Sequence, residues 1–209
     1  ILAVCFPGSA CKKNDAGSPV PVTPTDTVAA GWVKIDNSQY YGVSYGGDIF
    51  FYNALTGFVS DNNSNLLKST DGGNNWSRFA GLQCANMAMT GNGNAYFVGI
   101  NKDSVYKLVN SALPFITVQP PGADSLGDIF FSDNDNGLLS SAAGLYKTND
   151  AGSSWVQIPN VSSRPYSSIF MYNSQTAWLC YRNKIWHCNG DINNWEMDSI
   201  PGTDIYLGL

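Results

Sequence analysis

Short apolar runs recur along this chain about every 40 residues, separated by polar stretches. One run in each repeat opens on an aromatic anchor, and successive anchors lie 44, 39, 40 and 40 residues apart. The anchors are Trp32, Trp76, Phe115, Trp155 and Trp195. In the first four runs the outer two residues belong on one face, as in a half-buried strand. The fifth run breaks this pattern at Asp198.

Three further apolar segments precede each of the last four anchors, with Asn, Asp and Gly turns between them. The innermost are residues 49–51, 87–89, 129–131 and 169–171, and the next are 57–59, 95–98, 137–139 and 177–179. Lys68, Lys107, Lys147 and His187 mark the third, eight residues before each anchor. Four strands in about 40 residues are typical of a propeller blade. A β-sandwich also has many short strands, but it needs no fixed period. The sequence therefore predicts an all-β fold, a β-propeller of four-stranded blades.

Two of the turns before an anchor share one motif. Ser69, Asp71, Gly73 and Trp76 repeat as Thr148, Asp150, Gly152 and Trp155. Both segments resemble the Asp-box, Ser/Thr-x-Asp-x-Gly-x-Thr/Ser-Trp; the first departs from it at Asn75. The turn in residues 188–195 keeps the tryptophan but shifts its aspartate, and the repeat that ends at Phe115 has lost the box. A short Asp or Ser side chain stabilises its own tight turn, and tryptophan covers it. We therefore expect a structural role for these residues.

The number of repeats predicts an incomplete ring. A lone outer strand at Trp32 precedes four complete units, and residues 204–207 begin another innermost strand. Propellers commonly close with about 4–8 blades. We therefore expect about four blades plus flanking strands, a fragment that roughly two or three further blades would complete.

The first 30 residues predict an export signal and a tether. Residues 1–6 are mostly apolar, small residues precede Cys11, and residues 16–30 are rich in Pro and Thr. This order resembles the end of a bacterial lipoprotein signal, with Cys11 as the lipidated residue, although Gly8 stands where that signal usually carries Leu. A cleaved secretory signal and a buried apolar strand are the alternatives. We expect residues 1–30 to be the leader and tether and residues 31–209 the propeller. The protein would then be an exported lipoprotein of the outer membrane, periplasm or cell surface, or a secreted protein, and would meet the membrane only through the lipid.

Charge and cysteine content narrow the classes of partner. The net charge of -5 and a pI near 4.6 argue against nucleic acid, which requires basic patches. Five cysteines do not form a disulfide framework. Cys180 and Cys188 flank one predicted hairpin; they either pair or fill strand positions as small hydrophobic residues.

Few residues support enzyme chemistry, and we predict no catalytic, cofactor-binding or metal-binding residue. Glu196 is the only glutamate and His187 the only histidine, which argues against a nucleophilic triad and a zinc site. Asp48, Asp128 and Asp204 open innermost strands, and their recurrence favours a turn or channel-rim role over hydrolysis. Residues 132–137 faintly resemble a calcium loop but favour an Asx-rich hairpin turn.

The pattern of residues 129–155 resembles the blade of the photosystem II assembly factor family, and the resemblance extends over residues 31–209. This resemblance implies a scaffold that binds a protein or a carbohydrate, without a cofactor. Asp-boxes also occur in sialidases and xyloglucan-type glycoside hydrolases. A glycoside hydrolase with part of its catalytic residues in further blades is therefore the alternative.

Overall fold

The described chain consists of short antiparallel strands. A computed structural model describes residues 48–60, 65–164 and 167–199, all within one compact unit. Within these ranges there are 15 strands and no helix, which confirms the predicted all-β class. None of the described segments is therefore a helix suited to crossing a membrane. Cys11, the boundary predicted after residue 30, Trp32 and residues 204–207 lie outside the described residues.

The strands form four units of four, which we call blades 1 to 4. Blade 1 contains β1 (Ile49–Phe51), β2 (Gly57–Ser60), β3 (Asn65–Ser69) and the first half of β4 (Ser77–Met89). Blade 2 contains the second half of β4, β5 (Ala95–Gly99), β6 (Val105–Val109) and β7 (Ala112–Val118). Blade 3 contains β8 (Leu126–Phe131), β9 (Gly137–Ser141), β10 (Gly144–Thr148) and β11 (Val156–Gln157). Blade 4 contains β12 (Ser168–Asn173), β13 (Thr176–Tyr181), β14 (Lys184–Asn189) and β15 (Glu196–Ser199).

Blades 1 and 2 are joined through one long strand rather than through a loop. Residues 77–83 of β4 pair with β3, and residues 84–89 pair with β5. Strands β1 to β7 therefore belong to one seven-stranded sheet. Ala80 and Gly81 have φ of 56° and 60°. They lie between Arg78 and Gln83, where the pairing of β4 with β3 has an irregularity of the kind that bends a strand. The sequence predicts the two strands separately, and the structure fuses them.

The core lies between successive blades. Three apolar clusters fill the junctions between blades 1 and 2, 2 and 3, and 3 and 4. Side chains alternate along a strand, so β5 directs Tyr96 and Val98 into the cluster with blade 3, and Ala95 and Phe97 into the cluster with blade 1. A blade between two others is therefore apolar on both faces, which explains why all of β5 is buried.

The outer residues of the blade 3 anchor run are buried as predicted, but they flank β11 and do not share one face of it. Trp155 and Ile158, the outer residues of one run, are 6 % and 1 % exposed, while Val156 is 59 % exposed. Asp198 in the last run is exposed. Cys180 and Cys188 are buried free thiols, and they pair in register with Ile185 and Ala177 across the hairpin rather than with each other. They therefore fill strand positions.

Candidate functional site

The anchor turn of blade 1 is held by its own side chains. Oδ1 of Asp71 accepts hydrogen bonds from Ser69 Oγ at 2.8 Å and Asn75 N at 2.9 Å, and Oδ2 accepts one from Asn75 Nδ2 at 2.7 Å. Ser69 Oγ accepts a hydrogen bond from Gly73 N at 2.8 Å. Gly73 has φ of 88°, where a side chain would strain the backbone. The hydrogen bonds from Asn75 and then Ser69 lower the pKa of Asp71.

Blade 3 repeats this network with different side chains. Asp150 Oδ1 accepts hydrogen bonds from Thr148 Oγ1 and Ser154 N, both at 2.8 Å, and Oδ2 accepts one from Ser154 Oγ at 2.5 Å. Thr148 Oγ1 accepts one from Gly152 N at 2.9 Å. The hydrogen bonds from Ser154 lower the pKa of Asp150. Asn75 and Ser154 thus each donate one backbone and one side-chain hydrogen bond to the aspartate of their turn. Both carboxylates are therefore engaged inside their own turns.

The anchor tryptophans pack on the innermost strand of their own blade. The Trp76 ring meets the Phe51 ring edge-on at 5.7 Å, and the Trp155 ring meets Phe131 in the same way at 6.2 Å. Nε1 of Trp155 is buried and has no hydrogen-bond partner within the described residues. The indole of Trp155 therefore contributes through apolar packing.

The shifted turn of blade 4 forms a different network. Asp191 Oδ1 accepts hydrogen bonds from Asn193 N at 2.9 Å and Asn193 Nδ2 at 3.0 Å. Trp195 Nε1 donates to Ile192 O at 2.8 Å. Asn193 Oδ1 of this turn therefore faces blade 3 and Lys147. In the anchor turn of blade 3, the main-chain carbonyl of Ala151 faces blade 2 and Lys107 instead.

Recurring lysines link each blade to the next, a role that the sequence analysis missed. Lys68 Nζ of blade 1 donates to Ser111 O of blade 2 at 3.2 Å, and Lys107 Nζ of blade 2 donates to Ala151 O of blade 3 at 2.6 Å. Lys147 Nζ of blade 3 donates to Asn193 Oδ1 of blade 4 at 2.6 Å. The recurrence of lysine eight residues before an anchor was the sequence signal that could have indicated this role. It does not identify the acceptors, because they lie in the next repeat.

Aspartates at the start of innermost strands form a second series of links. Asp48 Oδ1 accepts a hydrogen bond from Ile49 N, and its Oδ2 accepts one from Met87 N of blade 2 at 3.0 Å. Asp128 Oδ1 accepts one from Ile129 N at 2.9 Å, and its Oδ2 accepts one from Ile169 N of blade 4 at 2.7 Å. At the equivalent position in blade 2, the side-chain amide of Asn86 donates to Gly127 O of blade 3 at 3.0 Å.

Burial changes the acidity of these aspartates. Desolvation raises the pKa of Asp48 above its ordinary value, despite the backbone hydrogen bonds. Desolvation also raises the pKa of Asp128 to about 6, with a smaller contribution from the negative charge of Asp48. The charges of two of the three candidate acids therefore influence each other. Asp204, the third, lies outside the described residues.

A groove of about 430 Å³ lies between blades 3 and 4, at the end of the sheets that carries the anchor turns. The equivalent positions opposite Lys68 and Lys107 hold Phe58 and Tyr96, whose rings lie 5.4 and 5.5 Å from the ammonium groups. Leu138 stands opposite Lys147 instead. No aromatic ring therefore faces Lys147 from that position, and the shifted turn of blade 4 lines the groove.

The remaining candidates lie apart from the groove. His187 Nε2 contacts Asp198 Oδ2 at 3.3 Å within blade 4, and Glu196 is exposed on β15. Asp133 Oδ1 accepts hydrogen bonds from Asp135 N at 2.9 Å and Asn136 N at 2.8 Å. This is the Asx turn that the sequence favours over a calcium loop. Among the residues that the structure describes, no cluster of His, Cys, Asp and Glu is arranged to hold a metal ion.

No protein-family model and no curated protein matches this sequence. Solved structures do match. YCF48 bound to D1 peptide superposes with a TM-score of 0.62 at 15 % identity, over 80 % of this chain and 57 % of that one. YCF48 from Cyanidioschyzon merolae gives 0.60 at 12 % identity, over 78 % and 59 %. An ancestral GH74 enzyme gives 0.57 at 20 % identity, over 73 % and 25 %.

These likenesses concern the fold. The chain spans 57 % and 59 % of the two YCF48 structures, so it corresponds to somewhat more than half of their length. At such low identities they show the fold alone. Together with the four-stranded antiparallel blades, they show that the described part of this chain has the β-propeller fold.

Proposed function

We propose that this chain is part of an extracytoplasmic, membrane-tethered scaffold of the Asp-box type that binds a protein or a glycan. The observation that carries the proposal is the groove between blades 3 and 4. Its walls belong to two blades held in place by Lys147 and by Asp128. Such a preformed cleft with a few polar groups is the usual form of a binding site.

Two further observations support this proposal. A structurally similar propeller, YCF48, has been solved bound to a peptide. The order of apolar residues, Cys11 and a Pro/Thr-rich segment supports export and a lipid tether. Under this proposal the propeller lies outside the cytoplasm, and its ligand binds in the groove.

Binding to arrays of peptides and of glycans tests the proposal. Val156 lines the groove and is 59 % exposed, so Val156→Trp fills the groove without disturbing the core. Ile116 is 49 % exposed at the equivalent position of blade 2 and lies outside the groove, so Ile116→Trp is the matched control. We expect binding to one array, lost with Val156→Trp and retained with Ile116→Trp. Absence of binding by the unaltered chain, or equal effects of the two substitutions, refutes the proposal.

A glycoside hydrolase is the second candidate, and one observation favours it. Asp48 and Asp128 both have raised pKa values, as a general acid requires. Against it, each carboxylate already accepts two backbone hydrogen bonds. Hydrolysis of xyloglucan by the unaltered chain, abolished in Asp128→Asn, would establish this alternative.

A further inference from the structure

The polar groups that line the groove differ in how fully they are engaged. Thr148 and Ser154 direct their hydroxyl groups to Asp150, and Asp191 Oδ1 accepts hydrogen bonds from its own turn. The side chains of Asn149 and Gln175 make no hydrogen bond within the described part of the chain. These two amides, each able to donate and to accept, are therefore available to a ligand.

Lys147 is the cationic residue and Asp191 the acidic residue among those that line the groove. Its ammonium donates one hydrogen bond, to the neutral amide oxygen of Asn193. An ammonium group has three donors, so two remain for a ligand. By contrast, the corresponding ammonium of Lys107 is buried against Tyr96 and the next blade, and only 9 % of Lys107 is exposed.

Apolar side chains complete the site. Val156, Met171 and Ile192 line the groove. Val156 belongs to β11, which pairs with β10 alone and forms the edge of its sheet. Gln157, the other residue of β11, does not line the groove.

We infer that the ligand of this groove is an extended peptide segment with an acidic side chain directed at Lys147 and an apolar side chain against Val156. The inference rests on the proposed function and narrows its ligand class. A peptide matches these groups: its carboxylate meets the ammonium of Lys147, its main chain meets the amides of Asn149 and Gln175, and its apolar side chain meets Val156. No aromatic ring lines the groove among the described residues, so a sugar would lack the stacking surface that it commonly uses.

The test uses an array of synthetic octapeptides that carry one Glu and one Leu at varied spacing, with a glycan array in parallel. Peptides that bind are then measured by fluorescence anisotropy, with Glu or with Gln. Lys147→Met removes the groove charge, Lys147→Arg retains it, and Lys184→Met removes an exposed lysine of β14 outside the groove. A thermal melt of each variant confirms that it folds.

We expect Lys147→Met to weaken binding of the Glu peptide about tenfold, the effect of one charge-assisted hydrogen bond. The Glu-to-Gln change in the peptide should have the same effect on the unaltered chain and none on Lys147→Met, because both remove one interaction. Lys147→Arg and Lys184→Met should bind as the unaltered chain does. Equal effects of Lys147→Met and Lys184→Met, or Gln peptides that bind as well as Glu peptides, overturn the inference.

The glycan array separates failure of the inference from failure of the proposed function. Binding of glycans that depends on the groove, without binding of peptides, overturns the peptide inference and leaves the scaffold proposal standing. Absence of binding to both arrays refutes both.

Discussion

Replacement of Asp128 by asparagine should remove a pH dependence from the stability of this chain. Burial raises the pKa of Asp128 from 3.8 to about 6, so the native state binds the proton more tightly than the unfolded state does. Each pKa unit corresponds to about 1.4 kcal/mol, so ionisation should cost the native state about 3 kcal/mol. The protonated carboxyl of Asp128 therefore stabilises the native state fully below pH 3.8, and this stabilisation is lost as the pH rises through about 6. Asp128→Asn cannot ionise and should lack this loss.

A second effect of Asp128→Asn does not depend on pH. Asparagine has one side-chain acceptor oxygen, whereas Asp128 accepts from both Ile129 N and Ile169 N. One N–H loses its partner, at a cost of about 1–3 kcal/mol. We therefore expect Asp128→Asn to be less stable than the unaltered chain at pH 4, and close to it at pH 7.

Urea denaturation at pH 4 and pH 7 provides the assay. The free energy of unfolding, relative to the unaltered chain, should rise by about 2 kcal/mol between the two pH values, because part of the effect lies below pH 4 and above pH 7. Asp71→Asn is the control. Hydrogen bonds lower the pKa of Asp71 below 3.8, so its contribution is present above the unfolded-state pKa and is lost as the pH falls through the lower native value. Because that window lies below pH 4, Asp71→Asn should show no comparable rise between pH 4 and pH 7. Parallel pH profiles for Asp128→Asn and the unaltered chain would show that Asp128 is not held in a desolvated site.

Three substitutions test the turns and the lysine links through the free energy of unfolding. Trp155→Ala should cost about 3–5 kcal/mol through lost packing, and a cost under about 1 kcal/mol contradicts the anchor role. Lys107→Met should cost about 1–3 kcal/mol because Ala151 O loses a charged donor; Lys147→Met, at a more open junction, should cost less, and equal costs refute this reasoning. Asn75→Ser should change stability by under about 0.5 kcal/mol, because serine forms the same network in blade 3; a larger loss shows that the two turns differ.

Most of the fold could be predicted from the sequence because each strand carries its own local signal. The four strands per repeat, their order and the inward anchors follow from the period of the apolar runs and from Asn, Asp and Gly at the turns. The fusion of two strands into β4 does not follow from it. The fused strand contains an irregularity with a left-handed backbone at Ala80 and Gly81, and alanine gives no signal for that conformation.

The candidate site was less predictable because it arises between repeats. The sequence identified Asp48 and Asp128 by their recurrence, and it identified the register of Lys147, but their partners lie about 40 residues away. At the groove, Leu138 stands opposite Lys147 where rings stand opposite the other two lysines, and the next turn has a shifted aspartate. Each difference is minor in a single repeat, so neither predicts a groove without knowledge of how the repeats pack.

The links between blades also have a direction in the order of synthesis. Lys68, Lys107 and Lys147 take their partners from the blade that follows in the chain. Asp48 and Asp128 do the same. After one blade has left the ribosome, synthesis of the next blade of about 40 residues takes roughly 2–8 s at about 5–20 residues per second. Until then its forward apolar face and its buried ammonium have no cover.

This direction makes each blade a template for the next. Nearest-neighbour coupling of this kind gives a stability that adds up junction by junction, as in repeat proteins. A substitution at one junction, such as the one spanned by Lys107 and Ala151, should therefore delay the docking of blade 3 on blade 2 and leave the earlier junction intact.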